Sequence, residues 1–327
     1  MFKEKIPVTL VGGFLGAGKT TLVNRLLSAG DGRRYGVIVN EFGAANVDSD
    51  LIKYIAEDTS LAELEGGCIC CVGNEDLSVS LYSLITAEQP PEHIVVELSG
   101  LADPVPVAQT ILTTQWRDVL DLDGIVAVAD ARNLITTLKE NPEGSAQLAY
   151  ASVVVLNKAD LVTDDEFAEA RRLITNMNPL AGVITATHCQ LDSEQVVGLA
   201  GFDPSWKPQG HAHVHDERVG SVTLRSEQPL ILGHWVVFHQ TMIMNRAERV
   251  YRAKGILNFE ELDDPMVLQA VRELYTFDTY EGQTDGASEL VIIGRDLDET
   301  EYTEAFERVM AERPANDQRL GSPSRKD

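Results

Sequence analysis

Along roughly the first 190 residues, short apolar runs rich in β-branched side chains alternate with stretches in which apolar positions recur every three or four residues. The runs at 8–11, 37–40, 93–97, 125–129, 153–156 and 183–187 are nearly continuous rather than alternating with polar residues. Such runs predict strands of a parallel sheet covered on both faces, where neither side of a strand meets water. The stretches 20–28 and 164–177 have helical spacing and supply crossovers. Around 201–210 the pattern dissolves into Gly, Pro and Ser, and His211, His213 and His215 then alternate ahead of Asp216. Beyond this linker the order changes. Strands are predicted near 219–224, 249–258, 273–280 and 290–294, with helices from 231 and over 299–311. The expected fold class is α/β, a doubly wound, mostly parallel sheet followed by a second, smaller α+β domain. The expected layout is a first domain over 1–200, a His-containing linker over 201–218, a second domain over 219–312 and a disordered tail over 313–327.

Composition narrows the partners. In 327 residues, 27 Lys and Arg face 51 Asp and Glu, a formal charge of −24, with 44% hydrophobic residues. A chain this acidic is repelled by phosphodiester backbones and anionic lipid, so nucleic acid and membrane surfaces are not expected partners. No apolar segment approaches the roughly 18–20 residues that cross a bilayer, and a cytoplasmic location is expected. Lys3 and Lys5 ahead of the apolar run 6–15 have the outline of a secretory leader. The next motif explains those residues better.

Gly13-Phe14-Leu15-Gly16-Ala17-Gly18-Lys19-Thr20 fits G-x-x-x-x-G-K-[ST] in full, after a predicted strand and opening a predicted helix. This is the phosphate-binding loop of a P-loop NTPase, and a chance match in a chain of this length is expected about 0.01 times. Its glycines let backbone N–H groups surround phosphates, Lys19 brings a cation to them, and the Thr20 hydroxyl is a ligand for Mg2+. Thr21 follows in the same loop. Asn157-Lys158-Ala159-Asp160, just past the apolar run 153–156, supplies a carboxylate that can accept both guanine N1–H and the exocyclic N2–H2, which points to GTP. The stretch 185–188 is a candidate for packing on the base. A second acidic group is needed near the magnesium; Glu97, at a predicted strand end three residues before Gly100, is favoured, and Asp130 is the rival.

Cys68, Cys70 and Cys71 crowd one short loop, where adjacent side chains make poor disulfide geometry. Three soft thiolates with an open fourth position suit Zn2+, Cu+ or Co2+ rather than Mg2+ or Ca2+. His211, His213 and His215 can gather a metal loosely, or belong to a solvated linker. Lone Cys189 reads as structural, His234 and His239 as core or surface residues. Arg252 and Lys254 read either as contacts to a client or to the first domain, or as a solvated strand face.

With these motifs in place, the chain resembles the CobW group of GTPases, metal chaperones similar to the nickel-inserting GTPases of urease and hydrogenase maturation. The matching stretches are GFLGAGKTT, VNEFG from Val39 to Gly43, GGCICC, ELSGLADP from Glu97 to Pro104, NKAD, and a Tyr251–Leu257 strand like the family's R-x-K-G. They span about 8–310 of the chain. The resemblance implies a slow GTPase that binds zinc, or else cobalt, at the C-x-C-C loop and delivers it to a client metalloprotein. It also places Asn40 to Gly43 on a first switch, where Glu41 approaches the magnesium or the metal loop. Ala44 stands where many relatives carry a further Glu. A homodimer is compatible with the resemblance, although no residue argues for it. Two other classes stay open: a non-catalytic zinc buffer or sensor, and a P-loop kinase of small molecules.

Overall fold

The computed structural model describes residues 5–39, 60–63, 75–100, 102–112, 115–141, 144–199, 219–280, 282 and 284–310. Among these, seven strands form the first sheet: β1 (Ile6–Gly13), β2 (Tyr35–Val39), β3 (Ser60–Glu63), β4 (His93–Glu97), β5 (Leu120–Asp130), β6 (Val153–Asn157) and β7 (Gly182–Thr185). Their order is β3-β2-β4-β1-β5-β6-β7, and every pairing is parallel. The apolar run after Lys5 is thus the central strand. Six of the seven strands match sequence expectation; β3 does not, because Ser-Leu-Ala-Glu is a short segment without an apolar run. β7 stops at Thr185, two residues before the expected end, and His188 and Cys189 then turn the chain with φ of 50° and 52°.

Helices α1 (Lys19–Ser28), α2 (Glu75–Ile85), α3 (Val105–Leu112), α4 (Leu134–Glu140), α5 (Ser145–Tyr150) and α6 (Asp164–Met177) cover the sheet. On one face Leu22, Val23 and Leu26 of α1 pack on Val37, Val95, Val126 and Val155. On the other, Leu81, Ile111, Leu134, Leu148 and Ile174 pack on Leu10, Ile94, Val96 and Leu156. Each fully buried aliphatic side chain contributes about 1.5–3 kcal/mol, so burial on both faces decides the parallel architecture. α6 begins where Thr163 and Glu166 exchange side-chain and backbone hydrogen bonds in a capping box, with Asp164, Asp165 and Glu166 favouring the positive helix end.

The second sheet is antiparallel, ordered β11-β10-β9-β12-β8 from β8 (Val219–Ser226), β9 (Val250–Leu257), β10 (Met266–Val271), β11 (Leu274–Thr279) and β12 (Ser288–Arg295). Along β12 the side chains alternate. Leu290 and Ile292 join Trp235 of α7 (Leu232–Phe238) and Phe306 of α8 (Glu299–Glu307), while Val291 and Ile293 face the first domain's core. The β9–β12 register shifts at Ile293 and Gly294, so Tyr251 is passed over. Such a bulge lets neighbouring side chains reach the same side. Tyr251 packs against Tyr150 with the rings tilted and their centroids 5.5 Å apart, and Arg252 donates to the carbonyls of Tyr150 at 3.1 Å and Ala151 at 2.6 Å.

Candidate nucleotide and metal site

β1 has β4 on one side and β5 on the other, the switch point where open α/β sheets bind ligands beyond the strands' carboxyl ends. The phosphate loop leaves β1 at this point. Gly18 lies at φ 116°, and a Cβ there would stand 2.6 Å from Asn157 Nδ2. Only glycine satisfies both demands. Ala17 is fully buried and its carbonyl accepts from Asn157 Nδ2 at 2.9 Å, which ties the loop to the end of β6. Lys19 is buried and donates to the carbonyls of Gly13 at 3.0 Å and Phe14 at 3.2 Å. Gly16 is at φ 73° near the tip of the loop. Thr21 lines a cleft of about 720 Å3 along α1, and a smaller one of about 260 Å3 lies between Phe14, Leu15 and Asp130.

The two acidic candidates part company here. The Thr20 hydroxyl donates to Glu97 Oε1 at 2.7 Å, joining the start of α1 to the end of β4, with Glu97 buried. Asp130 instead accepts from Lys158 Nζ at 2.7 Å, Asn133 Nδ2 at 2.9 Å and the backbone of Arg132. Burial opposes ionisation of Asp130, but those bonds prevail and hold its carboxyl below the usual range. Asp130 therefore fixes Lys158, while Glu97 keeps company with Thr20.

Asn157 is buried and works in both directions, since its Oδ1 accepts from the Cys189 backbone N–H at 2.9 Å. Lys158 adopts φ 60°, and Asp160 follows, exposed, on the short 3-10 turn Ala159–Leu161. Ala159 N–H donates to Ala186 O at 3.1 Å, so the turn rests on the segment after β7. Cys189 is fully buried, its thiol pushed up to about 11 by that burial, which fits a structural residue. His234 is exposed and His239 packs edge-on to Tyr275 at 4.8 Å. Arg252 and Lys254 are buried, which removes the solvated-face alternative, and Arg252 reaches the first domain.

Cys68, Cys70, Cys71, Glu41, His211, His213 and His215 lie outside the described residues. The strands that lead to two of these segments are described. Val39, at the end of β2 just before Asn40, is in register with Glu97 on one side and with Glu63, at the end of β3, on the other. The chain thus departs toward Glu41 and toward Cys68 from the edge of the sheet that carries Glu97. Among the described residues, no three His, Cys, Asp or Glu side chains gather as a metal site.

Comparison with known proteins adds the decisive observation. Residues 7–185 match the family described as CobW/HypB/UreG, nucleotide-binding domain, and residues 219–310 match the cobalamin synthesis protein cobW C-terminal domain. The chain belongs to the CobW family. The zinc chaperone YjiA of Escherichia coli K12 is 31% identical over 317 residues, covering 92% of this chain and 98% of that protein. The zinc-regulated GTPase metalloprotein activator 1 of Schizosaccharomyces pombe is 34% identical over 198 residues, 58% of this chain and 47% of the relative. A crystal structure of Zn(II)-bound YjiA GTPase from E. coli superposes with a TM-score of 0.78 at 24% identity, covering 94% of this chain and all of that one, which shows the shared fold. Among the described residues no helix is long and apolar enough to cross a membrane.

Two residues around this CobW-family site, Gln147 and Arg272, belong to none of the sequence motifs. Gln147 on α5 accepts from Gly13 N–H at 2.7 Å and donates to the carbonyls of Ala102 at 2.9 Å and Gly100 at 3.3 Å. Arg272, at φ 51° between β10 and β11, reaches the Tyr150 hydroxyl and lies 3.5 Å from Asp103. The only signal for Gln147 is an amide set among small apolar residues, Ser-Ala-Gln-Leu-Ala-Tyr.

Proposed function

We propose that this CobW-family chain is a GTP-hydrolysing zinc chaperone that takes up the metal at Cys68, Cys70 and Cys71 and hands it to a client metalloprotein in a nucleotide-dependent way. The observation that carries the reading is the shared sheet edge: Glu97, bonded to Thr20, is in register with Val39, and the strands beside it run directly into the Glu41 and cysteine segments. A nucleotide on the phosphate loop and a metal on the cysteines would then act on neighbouring pieces of chain. The relatives' names, a zinc chaperone and a zinc-regulated GTPase activator, support zinc as cargo over cobalt.

In this reading the phosphates occupy the loop from Gly13 to Thr21, and Lys19 turns from the Gly13 and Phe14 carbonyls to phosphate oxygens. Asp160 reads the guanine edge while Asn157 braces its turn against Ala17. The hydroxyl of Thr20 and carboxylate of Glu97 are hard oxygen donors already 2.7 Å apart, a set that fits Mg2+. Bound there, Mg2+ supplies neutralising charge for the phosphates. The two nucleotide motifs, Gly13 to Thr21 and Asn157 to Asp160, contain no glutamine to orient the attacking water, so unassisted turnover is slow. His211, His213 and His215 serve as a capture arm.

The test is a phosphate-release assay with GTP and with ATP, alongside zinc stoichiometry of the purified chain. GTP hydrolysis that is lost in Lys19→Ala, with one zinc lost in Cys70→Ser, supports the proposal. Preference for ATP with transfer to a small acceptor would make the chain a kinase, and zinc binding without turnover would make it a buffer.

A further inference from the structure

Gln147 is 4% exposed, and a buried amide is costly unless its hydrogen bonds are made. All of its bonds go to the main chain of two other segments. Its carbonyl oxygen takes the N–H of Gly13, the last residue of β1, and its amide nitrogen gives to Gly100 and Ala102, just beyond Glu97. Gly13 is thereby held on both sides, since its own carbonyl accepts from Lys19. Gly100 in turn lies so close to the phosphate loop that a Cβ on it would stand 2.9 Å from the Leu15 nitrogen.

The helix that carries Gln147 has a fixed base. Asn178, fully buried at the end of α6, donates to the carbonyls of Leu148 at 2.7 Å, Ala149 at 3.2 Å and Ala151 at 2.9 Å. Arg252 adds its bonds to Tyr150 and Ala151 from the second domain. With α5 pinned at its far end, the two loops adjust to Gln147 rather than Gln147 to them.

We infer that Gln147 is a positioning residue that sets the gap between the phosphate loop and the Gly100 segment, and so the preference for a nucleoside triphosphate over a diphosphate. The inference rests on the GTP reading above. We add to that reading that the backbone of Gly100, packed on Leu15 of the phosphate loop, faces the terminal phosphate, the one group that distinguishes the two nucleotides. A side chain that only stabilised the fold would affect both nucleotides alike.

Two variants separate these roles. In Gln147→Glu the carboxylate still accepts from Gly13 but offers nothing to the carbonyls of Gly100 and Ala102. Gln147→Leu keeps the size and loses both halves, and serves if the glutamate variant does not fold. Affinities for a non-hydrolysable GTP analogue and for GDP, each with Mg2+, are measured by calorimetry on the full chain. The expected result is a fall of about tenfold or more in analogue affinity, with GDP affinity within about threefold of wild type. Equal losses for both nucleotides, or no change in either, would overturn the inference while leaving the GTP reading intact. A wild-type chain that binds neither guanine nucleotide would overturn the GTP reading itself.

Discussion

Arg252 joins the two domains, and the cost of removing it is set by its burial and its two hydrogen bonds. Its guanidinium is fully enclosed, and burial pushes its pKa down to about 10. That shift corresponds to a desolvation cost of about 3 kcal/mol for the charged form. Against it stand two hydrogen bonds from a charged donor, at 2.6 and 3.1 Å, worth together about 3–6 kcal/mol. Arg252→Ala loses these bonds and the packing of the stem, and it leaves the Tyr150 carbonyl deprived; Ala151 O keeps Asn178. Relief of desolvation offsets part of this, so the net loss is about 3 kcal/mol. Arg252→Met fills the stem's space and still relieves the desolvation, so it loses less, about 1–2 kcal/mol. Urea unfolding at neutral pH, followed by tryptophan fluorescence and by circular dichroism, measures both. The wild type should unfold with the two probes coincident, and the alanine variant with separated transitions as the domains uncouple. A loss under about 1 kcal/mol for the alanine variant would refute the reasoning.

Three further outcomes follow from the site and core. Asp160→Asn should lower GTP affinity by about a hundredfold or more while raising affinity for xanthosine triphosphate, whose C2 carbonyl accepts from the new amide; competition binding checks both. Glu97→Gln should abolish the tightening of nucleotide binding by Mg2+ and Asp130→Asn should not, because Thr20 bonds Glu97 while Asp130 holds Lys158; the reverse pattern in a Mg2+ titration would make Asp130 the metal's acid. Burial pushes His93 down to about 4 despite the pull of Asp123, within a network in which Thr9 bonds both side chains. The unfolded chain therefore takes up the proton first, so stability is whole above about pH 6.5 and falls by up to about 3 kcal/mol as pH drops toward 4; His93→Gln should flatten that slope in urea titrations at stepped pH.

The residues legible in the sequence are those whose chemistry is fixed by local spacing. Gly13 to Thr20 form one turn between a strand and a helix, and Asn157 to Asp160 form another, so each string carries its own geometry. Glu97 was legible as a strand end, but its advantage over Asp130 depends on which strand lies beside Thr20, and that is set by the sheet order. Gln147 and Arg272 could not be found this way, because their partners are main-chain atoms and side chains far along the chain. The strand β10 went unread because its hairpin with β11 turns on Arg272 and Glu273, without the Asn or Gly that marks a tight turn. Arg252 read in sequence either as a contact to a client or to the first domain or as part of a solvated strand face, and the choice is made only by the first domain packing on its side of β9, where Tyr150 and Ala151 accept its bonds.

In the proposed function the nucleotide and metal sites are linked across the edge of the sheet that bears Glu97. The measurement that tests it most directly is a competitive zinc titration against a chromophoric chelator, run with Mg2+ and a non-hydrolysable GTP analogue and again with GDP. Zinc affinity is expected to differ by about tenfold or more between the two nucleotides, a coupling of about 1.4 kcal/mol, with no such difference in Cys70→Ser. Equal zinc affinity in both nucleotide states would contradict it.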